Sequence, residues 1–333
     1  MQIFTNAHYD FLKWRWHALA LSLAVILAGF AYMATRGGLP LGIDFSGGTI
    51  VVVKFDRPVA EDAVRRAVES IPGEKVVQQY GRPGDNEILV RLPQTVQEQG
   101  FSLEQGANQI VDAITRASLG KFEILSTEVV GPVIGAALQR KGIYATLASI
   151  LGITLYIAVR FRPSFAVGAI VATFHDILVT LAFLAFFGYD LSLNVVAAIL
   201  TITGYSVNDT IVVFDRVREN LKSMRREPLA TIVNTSVNQT LGRTIITAGT
   251  TFLAVLALYM FGGEVLKGFA FTMLVGIVSG TYSTVFIASA IAILLSGQSA
   301  VARTAAAVPV ASPSSNVGTA SKPAKKPARK RAS

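Results

Sequence analysis

Six apolar runs limit what this chain can fold into: Ala18–Ala34, Ile143–Val159, Phe165–Phe187, Leu191–Phe214, Ile245–Phe261 and Gly268–Leu295. Each reaches the roughly 17 to 25 residues that a helix needs to cross a bilayer. Hydrocarbon offers no partners to backbone polar groups, so each run must satisfy its own as a helix. The first run exceeds the usual length of a signal-peptide core, and no small-x-small cleavage site follows it, so it reads as an uncleaved anchor. Only 15% of the residues are charged, against about 25% in soluble proteins. The expected fold is a polytopic α-helical membrane protein with six transmembrane helices.

Charge sets the orientation. Arg160 and Arg162 follow the second run, and Arg216, Arg218, Lys222, Arg225 and Arg226 follow the fourth, whereas the other links carry little positive charge. The positive-inside rule makes that side, shared with the N-terminus, cytoplasmic. Both termini then lie inside and the chain between the first two runs lies outside. The expected divisions are 1–35 (N-terminus and first span), 36–141 (external domain with linkers), 142–297 (spans two to six) and 298–333 (a disordered basic tail). The formal charge is +9, but seven basic residues and no acid lie from Gln298 onward, leaving +2 for the rest. The basic balance therefore belongs to a tail suited to anionic lipid headgroups or an acidic partner, not to a nucleic-acid-binding face. The chain has no cysteine, so thiol chemistry is excluded.

The external region reads as a folded domain. Thr49–Phe55 is β-branched, Val59–Ser70 has helical spacing, and Lys75–Tyr80 and Glu87–Leu92 form a hairpin through the turn Arg82–Asn86. Ser102 heads a second helix with Leu103, Ile110, Val111 and Ile114 on one face, and Phe122–Val130 closes the set as a strand. The order is β-α-β-β-α-β, that of a ferredoxin-like domain. Gly42, Asp44, Gly47 and Gly48 of GIDFSGGT precede the first strand and suit a hinge or tight turn between span and domain.

Polar residues inside spans are the functional candidates, because a carboxylate in a membrane is expensive and marks an ion path or proton relay by default. Asp209 lies within the fourth run, and Thr201, Tyr205 and Asp209 recur at i, i+4 and i+8 with Asn208 beside them. That face cannot point at lipid. In the fifth run Arg243 and Thr247 repeat the spacing, and an antiparallel neighbour places Arg243 at the depth of Asp209, a geometry that allows a pair. Approach or withdrawal of Arg243 would bias Asp209 between its ionised and protonated forms. His175 and Asp176 sit near the middle of the third run. The alternative for these groups is a static buried ion pair that fixes helix register. Gly276 and Gly280 stand in GxxxG spacing and mark close packing between the fifth and sixth spans or with a partner's spans. No phosphate-binding loop, metal-ligand cluster, cofactor site or activated nucleophile is present in the sequence, so no enzyme activity is expected.

Five motifs in order, GIDFSGGT, VVGPVIGAAL, HD at His175 and Asp176, GYSVNDTIVVFDRVREN and LGRTIITAGTT, resemble the SecD/SecF family of bacterial protein export, on the side of its smaller, SecF-type partners. The resemblance covers Trp14 to about Leu295. It implies an inner-membrane protein related to the resistance-nodulation-division transporters, with six spans and one periplasmic domain, paired with SecD and associated with the SecYEG channel, with YidC and YajC as further partners. Asp209 and Arg243 match the family's proton-path aspartate and arginine, and proton flow is implied to drive periplasmic domains that hold the translocating preprotein. A proton-driven exporter of small hydrophobic molecules or lipids and a non-transporting translocon scaffold are the other readings.

Overall fold

The computed structural model describes residues 8–72, 75–81, 84–93 and 103–296. The expected tail 298–333, the helix-heading Ser102, and Arg82 and Pro83 of the expected turn lie outside the described residues.

Among the described residues, six helices are long and apolar enough to cross a membrane. They are α1 (Arg15–Thr35), α5 (Pro132–Arg160), α6 (Pro163–Phe187), α7 (Leu193–Ser223), α8 (Leu229–Phe261) and α9 (Glu264–Ser283). A π-helical stretch, Thr284–Ala288, extends α9. Proline at the first turn starts α5 and α6, where its missing N–H costs nothing. Gly188, in the left-handed region at φ 71°, closes α6. The Ser192 side chain caps α7 by accepting from Val195 N at 3.3 Å.

Two helices start well before their apolar runs. α5 begins at Pro132 instead of Ile143, so Arg140 and Lys141 belong to a helix that projects beyond its apolar run. α8 begins at Leu229 instead of Ile245, because Ile232, Val233, Val237 and Leu241 bury one face of an otherwise polar stretch. The N-terminal segment lies against that extension. Asn238 Oδ1 accepts from Tyr9 N at 2.9 Å, Asn234 Oδ1 accepts from Phe11 N at 3.1 Å, and both amides donate to Tyr9 O.

Between α1 and α5 the chain forms a short helix α2 (Ile43–Ser46) and then β1 (Gly48–Phe55), α3 (Glu61–Ala67), β2 (Val76–Tyr80), β3 (Glu87–Pro93), α4 (Leu103–Arg116) and β4 (Phe122–Val130). The predicted β-α-β-β-α-β order is present. The sheet order is β2-β3-β1-β4, with every neighbouring pair antiparallel. Alternation along β1 sends Val51, Val53 and Phe55 into a core with Val64 and Val68 from α3 and Ile110 and Ile114 from α4, so both helices cover one face. Glu61 and Asp62 in the first turn of α3, with Arg65 and Arg66 in its last, follow the helix dipole.

Gly276 and Gly280 do not pack the sixth span against the fifth, as their spacing suggested. A Cβ at Gly276 would run into the Ile202 side chain of α7, and one at Gly280 would meet Ser206 Cβ at 2.9 Å. The close approach is between the fourth and sixth spans. Gly276→Leu should therefore overpack the α7–α9 contact, costing about 1–3 kcal/mol. The measurement is the thermal midpoint of the purified protein, with Gly249→Ala, where nothing lies within 4 Å, as the neutral comparison. Equal midpoints for the two variants would contradict this packing.

Candidate functional site

One turn of α7 ties three other spans together. Ser206, Asp209 and Thr210, at i, i+3 and i+4, share one face of it, and each meets a different neighbour. Ser206 Oγ donates to Asp176 Oδ2 of α6 at 2.5 Å, Thr210 Oγ1 lies 2.8 Å from Thr284 Oγ1 beyond α9, and Asp209 Oδ1 accepts from Thr244 Oγ1 of α8 at 2.8 Å.

Asp176 is the centre of the inner part. It is 1% exposed and accepts from Ser279 Oγ at 2.7 Å and Ser283 Oγ at 2.8 Å as well as from Ser206. His175 Nδ1 faces its other oxygen at 3.0 Å, a hydrogen bond when the ring carries its proton there. The imidazole stacks near Tyr282, whose hydroxyl donates to Ala18 O of α1 at 2.6 Å. Three spans, α6, α7 and α9, thus converge on a buried carboxylate, immediately before the π-helical stretch of α9, a local form that often accompanies functional positions.

Asp209 lies at the α8 edge of this face. It is half-buried, and its buried Oδ2 has no hydrogen-bond partner among the described residues. Thr201 and Asn208 are exposed and Tyr205 is half-buried on the same helix; Arg243 and Thr247 are exposed on α8. The expected direct pair is absent: the ion pairs within 4.0 Å among the described residues do not join Asp209 to Arg243. Thr244, one residue further on, makes the contact instead. The polar face predicted to avoid lipid is therefore open in the isolated chain, with polar groups of two neighbouring helices pointing outward.

The glycine-rich segment forms a joint at the other end of α7. Gly47 and Gly48 have φ of 71° and 130°, values that favour glycine in a tight turn. Gly42 N donates to Leu191 O and Leu191 N to Pro40 O, both at 2.8 Å. Asp44 Oδ2 accepts from Leu193 N, the first residue of α7, at 2.8 Å. From β3, buried Arg91 pairs with Asp190. Burial pushes the Asp190 carboxyl up, and the Arg91 guanidinium partly offsets this. Of the four residues predicted as a hinge or turn, Gly42 and Asp44 thus lie against the start of α7, while Gly47 and Gly48 lie against the end of β4 and the start of α5.

Ser206, Thr244, Ser279 and Ser283 were not among the sequence-predicted site residues. Ser279 and Ser283 had a signal in their i, i+4 spacing one step from the GxxxG glycines. Ser206 and Thr244 are small hydroxyl residues whose partners come from other helices, and nothing local distinguishes them.

The chain matches the family described as protein export membrane protein SecD/SecF, C-terminal, over residues 110–298, and the SecD/SecF GG motif over residues 32–59. It is 42% identical to the protein translocase subunit SecF of Desulfurispirillum indicum, over 85% of this chain and 90% of the relative. Identity to the protein translocase subunit SecF of Escherichia coli O157:H7 is 38%, over 86% and 88% respectively. The crystal structure of SecDF, a translocon-associated membrane protein from Thermus thermophilus, superposes with a TM-score of 0.77 at 35% identity, covering 89% of this chain and 40% of that one. A SecDF structure in a super-membrane-facing form gives 0.65 at the same identity. The chain therefore spans about two fifths of the SecDF length.

Proposed function

The chain belongs to the SecD/SecF family of protein-export membrane proteins, on its SecF side, and from that membership we propose that it is one half of a proton-driven export motor. With a SecD-type partner in the bacterial inner membrane, it uses the proton gradient to promote late translocation of preproteins through SecYEG, with YidC and YajC as neighbours. Both termini face the cytoplasm, where the basic links after the second and fourth spans belong, and the sheet domain faces the periplasm.

The observation that carries this reading is that α7 bears half-buried Asp209 beside an open polar face and joins the sheet domain at its first residue. Leu193 and Asp209 are sixteen residues apart, about 24 Å along one helix. A change at Asp209 that shifts α7 therefore acts directly on the Asp44 and Arg91 contacts of the domain. One proton crossing 100 mV supplies about 2.3 kcal/mol, enough to bias such a joint between two positions and too little to unfold a stable protein. The open face leaves half a path, which a partner's spans complete.

Because the chain has no cysteine, single introduced cysteines report neighbours cleanly. Asn208→Cys should cross-link to a SecD-type partner in native membranes, whereas Leu151→Cys on the outward face of α5 should not. Membrane vesicles without this chain should lose the gradient-stimulated part of preprotein export. Equal cross-linking from both positions, or unchanged gradient stimulation without the chain, would contradict the proposal.

A further inference from the structure

At the end of the spans remote from the sheet domain, a cavity of about 460 Å³ opens between the α5–α6 link and α7. Its floor is apolar and aromatic: Phe165, Phe214 and Val217 are buried, and the Phe165 and Phe214 rings meet edge to face at 5.1 Å. Its rim is cationic, with Arg160, Arg162, Arg218 and Lys222, and no acid lines it. Arg160 is committed, since its guanidinium donates to both oxygens of Asp215 at 2.8 and 3.0 Å. The side chains of Arg162, Arg218 and Lys222 are exposed and make no hydrogen bond or ion pair among the described residues. The N-terminus of α6 opens at the same place without a side-chain cap or an acid in its first turn, adding its positive dipole end.

Three unpaired cations gathered from two elements repel one another unless an anion sits between them. The apolar part tells which kind of anion. Val159 lines the cavity and is 82% exposed, and Leu155, one turn back along α5, is 64% exposed. The cationic rim thus passes directly into an open apolar strip of a membrane-spanning helix. A ligand that matches both has an anionic head and hydrocarbon tails, and cationic pockets at the membrane edge suit such headgroups.

We propose that this cavity is a binding site for an anionic phospholipid, its phosphate held by Arg162, Arg218 and Lys222 and its acyl chains lying along Val159 and Leu155 of α5. The site is independent of the export reading, since it uses neither Asp209 nor the sheet-domain joint. Its lipid would link the α5–α6 link to α7, the helix that carries both.

The test is native mass spectrometry of the full chain extracted from bilayers of phosphatidylglycerol and phosphatidylcholine. The wild-type chain should retain phosphatidylglycerol selectively. Arg162→Gln/Arg218→Gln/Lys222→Gln should weaken that retention roughly a hundredfold. Arg140→Gln/Lys141→Gln, which removes charge at the other end of α5, should leave it unchanged. A thermal melt of each variant shows that the loss is not misfolding. Equal retention of phosphatidylcholine, an equal loss in the Arg140/Lys141 variant, or an unaffected triple variant would overturn the site. Displacement of the lipid by glycerol phosphate at equal concentration would show that the tails contribute nothing. Binding of a polyglutamate peptide to the wild type in phosphatidylcholine bilayers, lost in the triple variant, would assign the cavity to an acidic protein instead.

Discussion

Asp176→Ala is expected to destabilise the folded protein by about 3–5 kcal/mol, the range for removing one partner from a buried charged cluster. The carboxylate is the shared acceptor for Ser206, Ser279 and Ser283 and faces His175 Nδ1. With it gone, three hydroxyls from two helices lose this buried acceptor, and each such loss is costly. Asp176→Asn, which keeps one acceptor oxygen, should lose less, and Ser279→Ala alone should cost about 1 kcal/mol. Thermal midpoints of the detergent-purified variants check the order. If Asp176→Ala melts with the wild type, the cluster does not hold α6, α7 and α9 together.

Asp209→Asn is expected to behave in the opposite way, with little effect on folding and a complete effect on energy coupling. An asparagine oxygen still accepts from Thr244, so the hydrogen bond this side chain makes among the described residues survives. What is lost is the ability to take up and release a proton. Expression, partner association and melting should stay near wild type while gradient-stimulated export falls to the level seen without a gradient. Arg243→Gln should act in the same direction through charge, because Arg243 is exposed beside the same open face and makes no ion pair among the described residues. That pair of outcomes would separate a residue that organises the bundle from one that takes part in coupling.

The six spans were legible because hydrocarbon forces a long apolar run on any helix that crosses it. Their ends were less so. α8 starts sixteen residues before Ile245 because Val233 and Val237 bury a narrow stripe that average hydropathy over a polar stretch conceals. The sheet domain was legible from the β-branched run Thr49–Phe55 and from the helical spacing in Val59–Ser70, both local signals. Asp209 and Asp176 stood out because charges within spans are rare, but their surroundings did not. Spacing placed Arg243 near Asp209, yet rotation of α8 presents Thr244 to it. Spacing also offered Gly276 and Gly280 to the wrong neighbour, because a small-residue stripe states that a helix approaches closely without stating which.

The most direct test is preprotein export in membrane vesicles with an imposed proton gradient, comparing wild type with Asp209→Asn at matched levels and with the SecD-type partner present. The motor account predicts that the variant keeps gradient-independent export and loses the gradient-stimulated component. Full gradient stimulation by a well-assembled Asp209→Asn protein would contradict it and leave this chain a scaffold.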